Sequence, residues 1–250
     1  ENILKTLEPG SILFAAGDNI MFPIAYIIKV NKKYSDITVY DNYGWIFENI
    51  FGKDFLELDD LAQDTRRMRK QEEIINDYKG REYYTVGSKV DDISRINSCQ
   101  IGLVYLVLKP GETEAQYAAK KAEIWKTYKT ESLDNPKNHK DKFTRELAAQ
   151  YHLFAGNQYA EDRKKSESEG EYLKARGIGF DSYWIRNNLC IGFDKLANWL
   201  ALTDKKEEVR LREQAVIDGT EATRLEPGNS EGFNNLAIVY THLDRLDDSV

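Results

Sequence analysis

The sequence holds little of what usually betrays an active site or a membrane span. Its 250 residues include two cysteines and three histidines. Cys99 and Cys190 lie far apart and no Cys-x-x-Cys pair occurs, which excludes a thiolate zinc knuckle or a dense disulfide framework. The two are expected as buried thiols, with one long-range disulfide left open. His139, His152 and His242 are scattered, none with a second ligand at helical spacing, so they are assigned surface or packing roles and no metal site is expected. The longest apolar run, residues 101–108, falls short of the roughly 20 residues a bilayer span needs. No charged-then-apolar leader opens the chain, and the polypeptide as given reads as soluble.

Other absences narrow the chemistry. Acidic residues outnumber basic ones, 42 to 35, and no basic stripe appears, which argues against nucleic acid as a partner. There is no G-x-x-x-x-G-K-[ST], no dinucleotide fingerprint and no nucleophile elbow, so no cofactor is expected. Gly177-Ile178-Gly179 is a lone glycine pair and reads as a turn. The acidic pairs Asp59-Asp60, Asp91-Asp92 and Asp247-Asp248 read as solvated helix starts or turns. No set of residues amounts to a catalytic constellation.

What is present is a repeat. Pro227 is preceded by Ala222 and Ala215, and then Phe233, Leu236, Ala237 and Tyr240 follow. These match the small, small and proline positions of one tetratricopeptide unit and the large, large, small and aromatic positions of the next. Asn187-Asn188-Leu189-Cys190-Ile191 recurs as Asn234-Asn235-Leu236-Ala237-Ile238 at an offset of 47, which is 13 more than the 34-residue period. An earlier unit from about Ala149 to Ser182 places Gly156, Tyr159, Tyr172 and Ala175 at small and aromatic positions. The expected units are 149–182, 183–229 with an insertion near Thr203-Asp204-Lys205 that lengthens both helices, and a truncated 230–250. A unit of this kind cannot bury its apolar face alone and needs its neighbours.

In such arrays the first helices line a concave groove, here carrying Trp184, Asn187, Asn188, Ile191, Asn234, Asn235 and Ile238. Paired amides can hold a peptide backbone, and they can equally bond within the repeat. A carboxylate clamp needs groove cations, for which only Arg186 and Lys195 are placed. The partner expected is a protein or peptide.

Residues 1–110 alternate differently. Apolar or β-branched runs at 11–16, 37–40, 83–86 and 101–108 read as strands, with a helix after the first that puts Ile24, Ile27 and Ile28 on one face. A charged helix over 59–78 spaces Leu61, Met68 and Ile75 for the core. Strand–helix–strand alternation predicts a small parallel sheet, a Rossmann-like half, with residues 111–148 connecting it to the repeats. Gly17-Asp18-Asn19 follows the first strand, where open α/β sheets bind ligands. Asp18 or Asn19 either touches a ligand there or caps the next helix.

The stretch Ile3-Leu4, Leu7-Glu8-Pro9-Gly10-Ser11-Ile12-Leu13-Phe14, Gly17-Asp18-Asn19, Phe22-Pro23 and Tyr26 resembles bacterial membrane proteins of the protein O-mannosyltransferase-like type. Asp36-Ile37-Thr38-Val39-Tyr40-Asp41 and Gly102-Leu103-Val104-Tyr105 are similar to later parts of the same module. These are polytopic glycosyltransferases that use lipid-linked sugars, and many carry tetratricopeptide repeats after this segment. Ile20-Met21 stand where the family has an Asp-Thr pair. The family's catalytic acid belongs to an early extracytoplasmic loop among the membrane helices, outside this sequence. The resemblance therefore implies an extracytoplasmic, non-catalytic tail that recruits or orients an acceptor. It leaves open a sugar or lipid-phosphate contact through Gly17-Asp18-Asn19, and a free-standing cytosolic scaffold. The opening on Glu1 and the half-finished repeat at Val250 read as cuts in a longer protein.

Overall fold

The computed structural model describes residues 1–77, 80–86, 97–130 and 132–245. Asp91-Asp92, Asp247-Asp248 and Val250 lie outside the described residues. The chain forms two compact units, Glu1–Lys129 and Thr130–Val250.

Among the described residues the first unit is built on five strands: β1 Ile12–Ala15, β2 Thr38–Asp41, β3 Tyr83–Val86, β4 Ser98–Ile101 and β5 Val104–Val107. Their order is β2-β1-β3-β5-β4. β1 lies parallel to both β2 and β3, pairing Ile12 with Thr38 and with Tyr83, whereas β5 runs antiparallel to β3 and β4. The sheet is therefore mixed and not parallel throughout. The reason lies in residues 101–108, which do not form one strand. Ile101 ends β4, Gly102 takes a φ of +60°, and Val104 starts β5. A two-residue turn of this kind can join only antiparallel strands. The polar Ser98-Cys99-Gln100 gave no strand signal, yet Cys99 and Gln100 are buried in the ladder.

Helices α1 Asn2–Thr6, α2 Asp18–Ala25, α3 Asp60–Asp77 and α4 Ala118–Thr127 complete this unit. α2 runs on into a π-helical turn, Tyr26–Val30. The chain steps from β1 out to β2 and back past β1 to β3, and the right-handed rule for such crossovers would set the two intervening helices on opposite faces. One face packs Ile12, Phe14, Tyr40 and Tyr83 against Phe51, Phe55 and Ile74. Met68 and Ile75 of α3 join that core as expected, but Leu61 does not. It sits in the first turn at 78% exposure, and Ile74 fills the inward position instead.

The described residues of the second unit form α5 Lys142–Glu161, α6 Lys165–Ile178, α7 Tyr183–Asn198, α8 Lys205–Leu225 and α9 Ser230–His242. α5 starts upstream of the expected Ala149 because Asp141 and Thr144 form a capping box at its N-terminus. Ser182, Asp204 and Asn229 cap α7, α8 and α9 with their side chains. Pro227 falls just beyond the end of α8, where a residue without an N–H cannot extend the helix. The extra residues of the middle stretch lengthen α8 to 21 residues, against 14 for α6, but α7 has 16 against 20 for α5. The remainder sits in the connection 199–204.

The small and aromatic positions meet. A Cβ on Gly156 would lie 2.5 Å from the Tyr172 ring, and one on Gly192 would lie 2.9 Å from it. Tyr172 meets Phe193 edge-on at 5.1 Å and donates its hydroxyl to Asn157 Oδ1 at 2.8 Å. Ala175, Ala215 and Ala222 are fully buried, so helix backbones approach closely there.

Candidate functional sites

At the carboxyl edge of the sheet, Gly17 follows β1 with a φ of +88°, a conformation that favours glycine. It is the N-cap of α2, and its carbonyl accepts from the N–H groups of Ile20 and Met21 at 3.0 and 2.9 Å. Asp18 and Asn19 are the first helical residues, and neither makes a side-chain capping bond. The expected cap is thus supplied by glycine backbone geometry. Asp18 is exposed and places a carboxylate in the first turn, where it offsets the helix dipole. A bound phosphate would meet that negative charge. The strand order reverses between β1 and β3, so this loop stands at the sheet's topological switch point.

Beside it, β2 ends in a carboxylate that organises a loop. Asp41 is fully buried. Its Oδ1 accepts from the N–H groups of Tyr43 and Trp45 at 3.0 and 3.1 Å, and its Oδ2 from those of Ile46 and Phe47 at 3.1 and 2.9 Å. Burial acts to raise the Asp41 pKa, but the four N–H donors outweigh it and hold the carboxyl below its usual value. Tyr43 and Trp45 stack at 4.6 Å, and the Arg67 guanidinium lies 5.7 Å from the Tyr43 ring. Trp45 is thereby held on a fixed loop while 61% exposed. Sequence reading missed Asp41 as an organiser. The signal was the turn chemistry of Asp41-Asn42-Tyr43-Gly44 directly after a strand, with Gly44 at a φ of +65°.

In the second unit, paired side chains fix how the helices lie. Between α7 and α9, Asn187 donates to Glu231 and accepts from Asn235, each at 3.0 Å, and Asp194 meets His242 at 3.0 Å. Between α6 and α8, Lys165 pairs with Glu207, Arg210 with Glu169, and Arg176 with Asp218. Partners separated by a nearly constant number of residues mean that the helices of each pair run side by side in the same direction. The result is two layers, α5-α7-α9 and α6-α8, made of stacked helical hairpins.

The predicted groove residues divide on this frame. Asn187 is buried and bonded to α9, and Asn235 is its partner, so this pair serves the interior of the array. Asn188 donates to its own helix at Trp184 O, 2.8 Å away. Trp184, Asn188 and Ile191 are half-buried along one stripe of α7, while Asn234 and Ile238 are exposed on α9. Arg186 is spent on Asp218 at 2.6 Å and on the Phe180 carbonyl. A carboxylate clamp built on Arg186 would have to break that pair.

Each histidine has a local partner. His139 Nε2 meets the Leu133 carbonyl at 2.6 Å, His152 Nδ1 meets Glu171 at 2.7 Å, and His242 meets Asp194. Cys99 and Cys190 are buried thiols, one in each unit, and burial pushes Cys190 up to about 12. Among the described residues, no group of three His, Cys, Asp or Glu is gathered to hold a metal ion. No family model, curated protein or solved structure matches this chain.

Proposed function

We propose that this chain is a non-catalytic, extracytoplasmic accessory region of a protein O-mannosyltransferase-like membrane protein, and that its helical hairpins are tetratricopeptide repeats. The observation that carries the reading is the α5-α7-α9 layer with its stripe of Trp184, Asn188 and Ile191 beside Asn234 and Ile238. Apolar and amide groups alternate there without a dominant charge, which suits an extended peptide. Asn187 and Asn235 hold the layer together, and Asn188, Asn234 and the two isoleucines contact the partner. The partner is the acceptor protein that the array recruits or orients. Support for the parent comes from the motif resemblance over residues 1–110 and from the order of module and hairpins.

Two experiments test this. Acceptor capture by the chain is compared with capture by an Asn188→Ala, Ile238→Ser variant; equal capture would remove the groove. The coding sequence upstream of Glu1 should contain several apolar spans of roughly 20 residues. Finding none would sink the membrane parent and favour a free-standing scaffold.

A second reading has one observation in its favour. Gly17-Asp18-Asn19 stands at the sheet's switch point with Asp18 exposed. In that reading Asp18 and Asn19 hydrogen-bond a sugar in the parent's active site. Loss of parent activity in Asp18→Asn without a change in melting temperature would support it.

A further inference from the structure

The helical stretch 18–30 is apolar on two sides. Met21, Ile24 and Ala25 are buried against the first unit. Phe22, Tyr26 and Val30 stand at spacings of four on the outer side, at 58%, 59% and 62% exposure. A surface helix ordinarily turns a polar face to water, so this outer stripe calls for an apolar contact. The stretch is on the order of 20 Å long at about 1.5 Å per residue, too short to cross a bilayer core but long enough to lie along one.

Charge and aromatic content specify the contact. Residues 20–35 contain Lys29, Lys32 and Lys33 and no acid, within a chain whose acids outnumber its bases. Lys32 and Lys33 are exposed just past the end of the stripe. Lys29 donates to the Ile46 carbonyl and lies 5.1 Å from the Phe47 ring, which ties the Asp41-organised loop to the helix. Trp45, the residue before Ile46, is thereby an exposed indole on the loop tied to the helix end. Asp36, the first acid after this stretch, accepts from the Gly10 N–H. Tryptophan, tyrosine and phenylalanine beside lysines form the composition that settles at a bilayer's headgroup layer.

We propose that Phe22, Tyr26, Val30 and Trp45, flanked by Lys32 and Lys33, form a membrane-contact surface that seats the first unit on an anionic lipid bilayer. The apolar side chains enter the headgroup–acyl boundary, and the lysines meet the lipid phosphates. This surface is made of first-unit residues and the helical groove of second-unit residues, so either assignment can fail while the other stands.

The test is flotation of the chain with vesicles of phosphatidylcholine alone and of phosphatidylcholine with phosphatidylglycerol. The chain should float with the anionic vesicles. Phe22→Ser with Tyr26→Ser should lower partitioning by at least about tenfold, since each ring loses its apolar burial. Lys32→Glu with Lys33→Glu should also lower it by about tenfold or more. All four positions are solvent-facing, and unchanged circular dichroism and melting would confirm that the fold persists. Trp45 fluorescence should be quenched by brominated lipid, and that quenching should be lost in Trp45→Leu. Absence of flotation with either vesicle would overturn the proposal, and so would binding indifferent to Phe22→Ser with Tyr26→Ser. It would also fall if the wild-type chain sizes as a dimer that those two substitutions dissociate, because the stripe would then face a second copy.

Discussion

Asn187 on α7 accepts a hydrogen bond from the Asn235 amide on α9 at 3.0 Å, across 48 residues of sequence. The same side chain donates to Glu231. Two residues for which sequence alone leaves open a peptide groove or bonding within the repeat are thus part of what aligns two helices. Asn187→Ala should cost about 1–2 kcal/mol of stability, because buried Asn187 gives up both bonds and half-buried Asn235 loses its acceptor. Asn188→Ala, on a half-buried residue bonded only within its helix, should stay within about 0.5 kcal/mol. Urea midpoints of the two variants check this, and equal losses would contradict it.

Asp218 on α8 is fully buried and takes hydrogen bonds from Arg176 of α6 and Arg186 of α7. Asp218→Ala leaves two largely buried guanidinium groups without their anion, and should cost about 3–5 kcal/mol. Glu221→Ala, which removes the partner of the exposed Arg224, should cost less than about 1 kcal/mol. Thermal unfolding of the pair separates an interior ion cluster from a surface one. Similar melting temperatures for both variants would show that Asp218 is not holding the three helices together.

What the sequence made legible follows from how local each signal is. Gly156, Tyr172, Ala175, Ala215 and Pro227 carry their roles in residue type and spacing, and all but Tyr159 of the positions assigned to the earlier unit are buried. The three parallel strands were legible for the same reason, as apolar runs of the right length. The β4–β5 hairpin was hidden, because Ser98-Cys99-Gln100 is polar by type and becomes buried only through pairing with β5. Asp41 was hidden for a further reason. Its four donors are backbone N–H groups, so residue types mark only the turn at Asp41-Asn42-Tyr43-Gly44 and not which side chain closes it. Asn187 shows a third limit: its fate depends on Asn235, and spacing does not say whether an amide points to a partner helix or to a ligand.

Gly156 tests the packing of the first hairpin. In a helix, replacing glycine with alanine ordinarily gains up to about 1 kcal/mol. Here the added Cβ would sit 2.5 Å from the Tyr172 ring and 3.3 Å from the Ser168 carbonyl. The ring is fully buried and cannot swing away freely. Gly156→Ala should therefore destabilise by about 1–3 kcal/mol. In a Tyr172→Leu background the penalty of Gly156→Ala should shrink, and a double-mutant cycle measures that coupling. A cycle that sums to zero would place the strain elsewhere.

Asp41 makes a prediction about pH. Its folded pKa is lowered, since four backbone donors outweigh the opposing effect of burial, while in the unfolded chain it titrates near the ordinary aspartate value of about 3.9. A depressed folded pKa means that the unfolded state binds the proton first as pH falls. The stabilisation from Asp41 is therefore complete well above about pH 3.9 and is lost progressively as pH drops below it towards the folded value. Asp41→Asn removes the charge and places an NH2 group against backbone donors, because an amide offers one acceptor oxygen where the carboxylate offered two. The variant should be less stable at neutral pH by about 2 kcal/mol or more. The difference from wild type should narrow as pH falls below about 3.9 and the wild-type carboxylate protonates. Urea unfolding of both forms across that range, followed by tryptophan fluorescence, reads the effect. Trp45, one of four tryptophans, is on the loop in question and contributes its release to that signal. A difference in stability independent of pH would mean that the loop is held by packing of Tyr43, Phe47 and Phe51 and not by the buried charge.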